Sequence, residues 1–340
     1  MSATVPHAAR AMFRDRTDAI ANTGVLAATG LAWLGSFALM GAHHPLANAL
    51  GVVLCAHSMV VAAYLVHEAA HQTLFALPRA NQWAGEAVNF IAGSYAAFER
   101  IRHIHIRHHL DRADLICFDY KDLMRRHRAL RRALEVLEWA YIPATEVLMH
   151  LQVIWRPFLV RSQRRYLPRT AAVLAVRLAL LALLGLWSVK ALLLYFLAVL
   201  LELHVLNFFD AFHHTFEQLV VTPEEPVSMQ GRDRTYEQAN TYSNLIAERH
   251  PWLNFLIINF CYHNAHHHRP SVPWWRLPSL HRDLYGDRTL AVLPLSELLT
   301  TWHRNRVRRV LADQYGATGS GARPADQFVG THGVSFLTVV

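Results

Sequence analysis

Two pairs of long apolar runs constrain the fold of this chain more than any other feature. The first pair covers about residues 20–40 and 47–66, and the second covers about 171–187 and 191–209. A helix of about 20 residues, at 1.5 Å per residue, crosses roughly 30 Å of hydrocarbon. Only a short turn separates the two runs of each pair. The pattern therefore predicts four transmembrane helices arranged in two hairpins.

Composition agrees with a membrane domain. Of the 340 residues, 53% are hydrophobic and only 17% are charged, a balance that fits an integral membrane protein better than a soluble one. We expect a single all-α membrane domain over residues 20–315, preceded by a polar N-terminal segment, residues 1–19. The Gly/Ser/Ala-rich stretch 316–340 is expected to be a disordered tail.

The distribution of charge predicts the orientation. Residues 79–169 contain 16 Lys and Arg against 9 Asp and Glu, whereas the turns of the two hairpins carry only Lys190. By the positive-inside rule, the N-terminus, the middle segment and the C-terminal half lie in the cytoplasm, where they form a histidine-rich helical cap on the membrane. In a membrane protein a net charge of +8 indicates cytoplasmic loops and contact with anionic lipid rather than with nucleic acid.

Histidines cluster at the predicted cytoplasmic ends of the spans. In the central cluster three histidines stand at positions i, i+3 and i+4, so they share one face of a helix. The central cluster is at 105–109, and a later cluster at 263–267 repeats its spacing. Two further clusters, at 67–71 and 213–214, directly follow the second and the fourth span. Together the clusters supply nine candidate metal ligands: His67, His71, His105, His108, His109, His214, His263, His266 and His267.

The number of histidines indicates the metal chemistry. One zinc ion takes about four ligands, so nine imidazoles suit two metals with four or five each. Imidazole binds iron, copper, nickel and zinc, and two redox-active irons with open positions could activate O2 beside a membrane, where the substrate would be a lipid. Because Arg102 and Arg107 lie among the central histidines, that stretch alone could also be an anion-binding patch. The other three clusters argue against this interpretation.

Several polar neighbours are expected to hold the imidazoles by hydrogen bonds, which fix the tautomer of a ligand and raise its basicity. For the carboxylates among them, a surface salt bridge with Arg107 or Arg112 is an equally good explanation. The candidates are Glu68, His103, Asp111, Asp114, His213, Asn264 and His268.

The motifs resemble a known family. HEAAH at 67–71, HIRHH at 105–109 and HNAHH at 263–267, separated by a hydrophobic hairpin and followed by a Pro/Trp-rich stretch at 269–275, are similar to the membrane fatty acid desaturases of bacterial type. The resemblance covers about residues 20–310. It implies four transmembrane helices under a cytosolic cap, a di-iron centre with mostly histidine ligands, and O2-dependent removal of two hydrogens from an acyl chain.

Two further positions belong to this resemblance. His214 matches the histidine that follows the last span in the family. Asp210 stands where the family can place an asparagine, which leaves open whether Asp210 binds iron, holds a water or orients an imidazole. Residues 240–244 also resemble bacterial members, although the residues themselves suggest no physical role.

The function expected from these observations is O2-dependent, di-iron desaturation of a fatty acid or acyl lipid. Electrons must come from an external donor such as a ferredoxin, because the sequence has neither a Cys-rich iron–sulfur motif nor a dinucleotide-binding glycine fingerprint. The same two irons could instead hydroxylate the chain, or decarboxylate it to a terminal alkene. Desaturation is the first hypothesis.

Two functions from other classes are also consistent with part of the sequence. His67, Glu68 and His71 match H-E-x-x-H, in which two histidines bind zinc and the glutamate acts as general base of a metalloprotease. This reading leaves the other histidine clusters unexplained. A metal-handling or transport protein would also be rich in histidine, but it predicts polar residues along the spans, which consist mostly of Leu, Ala and Val.

Overall fold

The computed structural model describes residues 12–222, 225–286, 292–319 and 323–339. Residues 1–11, which belong to the expected N-terminal segment, lie outside this described part. Helices dominate the architecture, and short 3₁₀ segments and one small sheet connect them. The helices are α1 Arg16–Gly41, α2 Pro45–Ala70, α3 Pro78–Ile91, α4 Phe98–Asp111, α5 Tyr120–Arg126, α6 Arg128–Trp139, α7 Ala144–Leu159, α8 Leu167–Trp187, α9 Val189–Ala211, α10 Arg234–Ala239, α11 His263–His268, α12 Leu277–Tyr285 and α13 Leu295–Asn305.

Four of these helices, α1, α2, α8 and α9, are long and apolar enough to cross a membrane. They coincide with the four predicted spans, and the predicted fold class, an all-α membrane protein with two hairpins and a histidine cluster, is confirmed. Local sequence explains the turns. Asn48 donates to the carbonyl oxygens of Leu39, Met40 and Ala42 at 2.8–3.0 Å, which satisfies the free end of α1. Ser188 caps α9 by accepting from Ala191 N.

Helix α2 is the most enclosed of the four spans. Helices α1, α3 and α9 all pack against it, and its second half, from Cys55 to Ala70, is buried except at His57. A helix that is surrounded by other helices has little freedom to move. Its C-terminal end, where the first two histidines lie, is therefore a rigid support.

The turn that follows α3 reaches the middle of the membrane-spanning bundle. Arg177, halfway along α8, donates to Phe90 O at 2.8 Å and to Ser94 O at 3.1 Å. These two bonds tie the α3–α4 connection to α8. Beside them lies a cavity of about 710 Å3 between the two hairpins, lined largely by leucine and aromatic side chains of α1, α7, α8 and α9.

The cap covers one end of the bundle. Two short parallel strands, β1 (Asp114–Ile116) and β2 (Gln218–Val220), pair from Asp114 with Gln218 to Ile116 with Val220. This pairing joins the chain that leaves α4 to the chain that leaves α9. The central histidine cluster and the histidines after the last span are therefore held side by side.

The C-terminal tail differs from expectation. Within the described residues 323–339, the chain is folded against the cap, with Phe328 and Leu337 at most 1% exposed. The Gly/Ser/Ala-rich composition that suggested disorder ends near residue 322, and the stretch that follows contains Phe and Val side chains that are buried in the core. Arg309 donates to Val329 O at 2.8 Å, and Gly333 N donates to Glu146 Oε1 at 3.1 Å. The expectation of a disordered tail is therefore wrong for these residues.

Candidate metal centre

The first two histidines lie at the C-terminal end of α2. His67 is in its last turn, and His71 is the residue that ends the helix. The helix stops because Gln72 has a positive φ of 59°, which lets Thr73 N donate back to Glu68 O at 3.0 Å. The helix end therefore presents both imidazoles, one turn apart, to the cap.

Helix α4 carries the central cluster. His105 and His109 are buried, and His108 is partly exposed. Arg102 Nε donates to Ala70 O at 3.1 Å, so a cation of α4 binds a free carbonyl at the end of α2. This bond and the packing of α4 on α2 bring the central imidazoles toward His67 and His71.

Segment 240–244, for which the sequence suggested no role, joins the last two clusters. Tyr242 N donates to His213 O at 2.8 Å, and His213 Nε2 donates to Asn244 Oδ1 at 2.9 Å. Ser243 Oγ donates to Asn264 Oδ1 at 2.9 Å, in the middle of the third box. The segment therefore binds the residues after α9 on one side and α11 on the other.

Five imidazoles form the first group of candidate ligands. One nitrogen from each lies within 4.8 Å of the others. The Nε2 atoms of neighbouring rings are 2.7 Å apart for His71 and His105, 3.0 Å for His67 and His266, and 3.2 Å both for His105 and His109 and for His109 and His266. Metal–nitrogen bonds of about 2.1 Å at right angles place two nitrogens about 3.0 Å apart, so this spacing fits a shared metal ion.

A second group lies beside the first. Ring nitrogens of His108, His214 and His267 lie within 4.8 Å of one another, and His263 Nε2 lies 2.8 Å from His214 Nε2. The structure therefore brings all nine predicted ligands together, five in one group and four in or beside the other. Two neighbouring groups of four or five imidazoles are the arrangement that the count of nine suggested.

Two imidazoles of the second group carry their proton on Nδ1, which leaves the lone pair of Nε2 available. His108 Nδ1 donates to Ala113 O at 2.8 Å, and His267 Nδ1 donates to Glu237 Oε1 at 3.1 Å. His267 Nε2 is buried and has no hydrogen-bond partner within the described part of the chain. A lone pair of this kind is costly to bury unless a cation binds it, so the donor set fits a metal ion.

For several of these imidazoles burial favours the neutral form, which is the form that binds metals. It lowers the pKa of His105, His109 and His266 well below the ordinary value for histidine, and the neighbouring imidazoles lower it further. The pKa of His108 falls to about 4, chiefly through burial and despite its hydrogen bond to Ala113 O. A cluster that does not take up protons at neutral pH is available to a cation.

Two of the predicted supporting carboxylates contact the candidate ligands. Glu68 Oε1 lies 3.5 Å from His67 Nδ1, while its Oε2 accepts from Thr73 Oγ1 at 2.6 Å and from Trp274 N at 3.1 Å. Asp114 Oδ1 lies 3.6 Å from His108 Nδ1, and burial raises the pKa of Asp114 to about 7. Both carboxylates are buried beside an imidazole.

Glu237 was missed in the sequence. It is buried on α10, where Oε1 accepts from His267 and Oε2 lies 3.0 Å from Arg112 Nε. With His109 and His267 it forms a third group of potential ligand atoms. No spacing relative to the histidine clusters marks Glu237, so only the fold identifies it.

Other predicted neighbours take different positions. Asp111 pairs with Arg107 at 2.9 Å, the salt bridge that was the alternative explanation. His103 is exposed on α4, and His268 is partly exposed at the end of α11. Of these three residues, none belongs to the groups of potential ligand atoms found in the described part of the chain.

Asp210 and His213 border a small cavity against the candidate ligands. The cavity measures about 50 Å3, and its lining contains both polar and apolar side chains. Asp210 Oδ2 is buried and has no hydrogen-bond partner among the described residues. The polar part of the lining consists of Asp114, Asp210, His105, His108, His213, His214 and His263, and the apolar part of Ile104, Leu115, Phe260, Val334 and Phe336. We call this space the reaction cavity.

The fold and the site together define a class: a helical membrane protein with two adjoining groups of buried histidines able to hold metal ions. The chain belongs to the fatty acid desaturase family, whose model matches residues 43–298. The match includes every predicted ligand and confirms the family resemblance. No curated protein matches the chain closely enough to count as a relative.

Proposed function

We propose that this protein is an O2-dependent fatty acyl desaturase that uses two iron ions. The reaction converts neighbouring CH2 groups of a fatty acid or acyl lipid into CH=CH. O2 is reduced to two waters by four electrons, two from the broken C–H bonds and two from an external donor such as a ferredoxin, and the remaining two protons come from water. Family membership supports the class of reaction.

One observation carries the proposal: two adjoining groups of largely buried imidazoles border a cavity whose lining is partly apolar. The nine predicted histidines would hold the irons, and Glu237 and Asp114 would orient His267 and His108. Bound irons would supply the oxidising power that an unactivated C–H bond requires. The apolar side chains of the lining would contact the acyl chain and exclude water from the reacting carbons.

The chain also provides an acyl-sized space. The cavity between the hairpins, about 710 Å3, lies within the usual range of roughly 300–1,000 Å3 for small-molecule pockets, and its lining is mostly apolar. Substrate would enter from the membrane. We place the cap, with the N-terminus and C-terminus, in the cytoplasm of a bacterium, where the excess of Lys and Arg in residues 79–169 would attract an acidic electron donor.

The contacts of Glu68 argue against a zinc protease. A general base must reach a water molecule on the metal, but Glu68 Oε2 already accepts two hydrogen bonds, from Thr73 and from the Trp274 backbone. Glu68 is also absent from the described lining of the reaction cavity. Its position is that of a residue holding α2 against the chain near Trp274.

The proposed function is tested by expressing the protein with a reducing system and analysing lipids and volatile products by mass spectrometry. Loss of two hydrogens from an acyl chain supports desaturation. A gained oxygen, or a terminal alkene one carbon shorter, would replace it with hydroxylation or decarboxylation. Full activity in H105A, H108A and H109A would refute the metal assignment itself.

A further inference from the structure

The C-terminal segment 331–339 passes directly beside the candidate metal centre. Phe336 and Val334 both line the reaction cavity. The ring of Phe336 lies 5.8 Å from that of His105 and 6.2 Å from that of His67, measured between centroids. Phe336 is therefore the large apolar side chain that faces the first group of imidazoles from the tail.

Bonds on both sides of Phe336 fix its position. Before it, Tyr120 Oη donates to His332 O at 3.1 Å, and Gly333 N donates to Glu146 Oε1 at 3.1 Å. After it, Ser94 Oγ donates to Leu337 O at 3.0 Å. The segment thus spans from α5 and α7 on one side of the reaction cavity to the turn after α3 on the other.

Two glycines fix the register of the segment. Gly330 and Gly333 have φ values of 76° and 72°, which other residues rarely adopt. A Cβ atom at Gly330 would lie 2.8 Å from Ala211 O, and one at Gly333 would lie 2.6 Å from Tyr120 Cε1. Because the backbone passes through so tight a space, a slip of one residue is blocked and Phe336 remains at the cavity.

The segment also connects the linings of the two cavities. Gly93 and Tyr95 line the large cavity between the hairpins, while Ser94, between them, binds the residue that follows Phe336. None of the nine candidate ligands is in the described lining of the large cavity. The reaction cavity, at about 50 Å3, is far smaller than the roughly 300–1,000 Å3 of ordinary ligand pockets. The C-terminal segment therefore meets the linings of both cavities, and Phe336 lies at the one that the imidazoles line.

We infer that Phe336 is a specificity-determining residue: its ring forms an apolar wall of the reaction cavity and sets how far an acyl chain extends past the candidate ligands. This inference rests on the proposed function. A smaller residue would let the chain extend farther, which changes the preferred chain length or the position of the new double bond.

The first test compares F336A with F328A. Phe328 is a buried phenylalanine of the same tail that packs on Phe212 and Tyr242, away from the reaction cavity. Each variant receives saturated fatty acids from lauric to stearic acid, and products are mapped by mass spectrometry. We expect F336A to raise the ratio of activity on longer chains to activity on the wild-type optimum by about tenfold or more, which is the discrimination that one methylene group provides. The iron content should be unchanged. F328A should keep the wild-type ratio.

The second test does not depend on turnover. In a C117S background, where the remaining native cysteines are buried, F336C is labelled with a maleimide in the presence and absence of stearic acid. At a fatty acid concentration about ten times its Kd, we expect labelling to slow about tenfold. L299C, at an exposed position on α13, is the control and should label at the same rate with and without stearic acid.

The outcomes separate the two hypotheses. If fatty acid protects F336C but the wild type forms no product, the proposed desaturase activity is refuted and the position of Phe336 beside the bound acyl chain is supported. Wild-type activity with no protection of F336C, or with an F336A product profile equal to that of the wild type, would overturn the role of Phe336 and leave the proposed function standing.

Discussion

At the scale of single residues, the candidate centre depends on which nitrogen of each imidazole is occupied. His267 and His108 use Nδ1 to donate to Glu237 and Ala113 O, so their Nε2 atoms face the cluster as acceptors. The same logic excludes His213 as a ligand through Nε2, since that nitrogen donates to Asn244. Ligands and neighbours of one residue type are thus distinguished by their hydrogen bonds.

Removal of one imidazole should reduce metal content selectively. H266A deletes a buried member of the first group, whereas H268A alters its partly exposed neighbour, which is outside that group. Because H266A removes a donor from the first group alone and leaves the second group intact, we expect weaker binding at one site only, with iron per chain falling from roughly two toward one in H266A and staying unchanged in H268A. Metal analysis of the purified variants measures this. Equal iron in both would contradict the grouping.

Glu237 should support metal binding through His267. E237Q removes the negative charge that accepts from His267 Nδ1, which makes the imidazole a poorer ligand. Loss of such a partner typically weakens metal affinity about 10–100-fold, and we expect a change of that order. Competition with a chelator measures it, with E248Q, an exposed glutamate, as the control. An unchanged affinity would show that the bond does not tune His267.

At the scale of elements, the cap is assembled from helix ends and short connections. Segment 240–244 binds both sides of the centre, and β1 and β2 join the chain after α4 to the chain after α9. The C-terminal segment adds a further connection between α7 and the turn after α3. These contacts explain how spans that are far apart in sequence deliver histidines to one place.

The tight passage of the C-terminal segment can be tested with two glycines. Gly333 and Gly231 have nearly the same φ, 72° and 76°, but an added Cβ would meet Tyr120 only at Gly333 and lies in open space at Gly231. Alanine at either position strains the backbone, and G333A also overpacks. We expect G333A to lower the free energy of unfolding by about 1–3 kcal/mol more than G231A does. If thermal unfolding shows that G333A and G231A lose equal stability, the backbone at Gly333 does not pass as close to Tyr120 as described.

At the scale of the whole molecule, a buried carboxyl group, Glu146, makes the free energy of unfolding depend on pH. Glu146 lies under the tail, and burial raises its pKa to about 7 in spite of the bond from Gly333 N. Between about pH 4.3, the unperturbed pKa of a glutamate, and about pH 7, Glu146 is therefore protonated in the folded state and ionised in the unfolded chain. Stability should fall by about 1.4 kcal/mol per pH unit across this window.

E146Q removes that dependence and still accepts from Gly333 N. We expect E146Q to melt at a higher temperature than the wild type at pH 8, with the difference vanishing near pH 4. E99Q makes the same chemical change at an exposed site and should leave the slope unaltered. Parallel wild-type and E146Q curves across the range would mean that Glu146 does not titrate in this window.

Metal removal should destabilise the whole cap, because the candidate ligands come from α2, α4, α11 and the chain after α9. A ligand that binds only the folded state adds stability that grows with the logarithm of its concentration over Kd. We expect chelation to lower the melting temperature, Fe2+ to restore it, and Mg2+, which prefers oxygen ligands, to have no effect. Recovery with Mg2+ would indicate a carboxylate site instead.

The sequence by itself determined the features that follow from local periodicity. Apolar length predicts the four spans, and a spacing of i, i+3 and i+4 places imidazoles on one helix face. The structure supplies four long helices at those positions and brings the nine histidines together. The spans and the shared face within each cluster depend on residues close in the chain, whose relative positions a helix fixes, whereas the meeting of the four clusters depends on how the helices pack.

Only the tertiary structure decided the roles of Glu237, segment 240–244 and the C-terminal tail. Glu237 meets His267 across 30 residues, Gly333 meets Glu146 across 187, and Ser94 meets Leu337 across 243. No local periodicity encodes such contacts, because they form only when separate helices pack. At the tail, composition gave a wrong expectation, because the burial of a few large side chains such as Phe328 and Leu337 offsets the entropy cost of ordering the stretch that follows the Gly/Ser-rich residues.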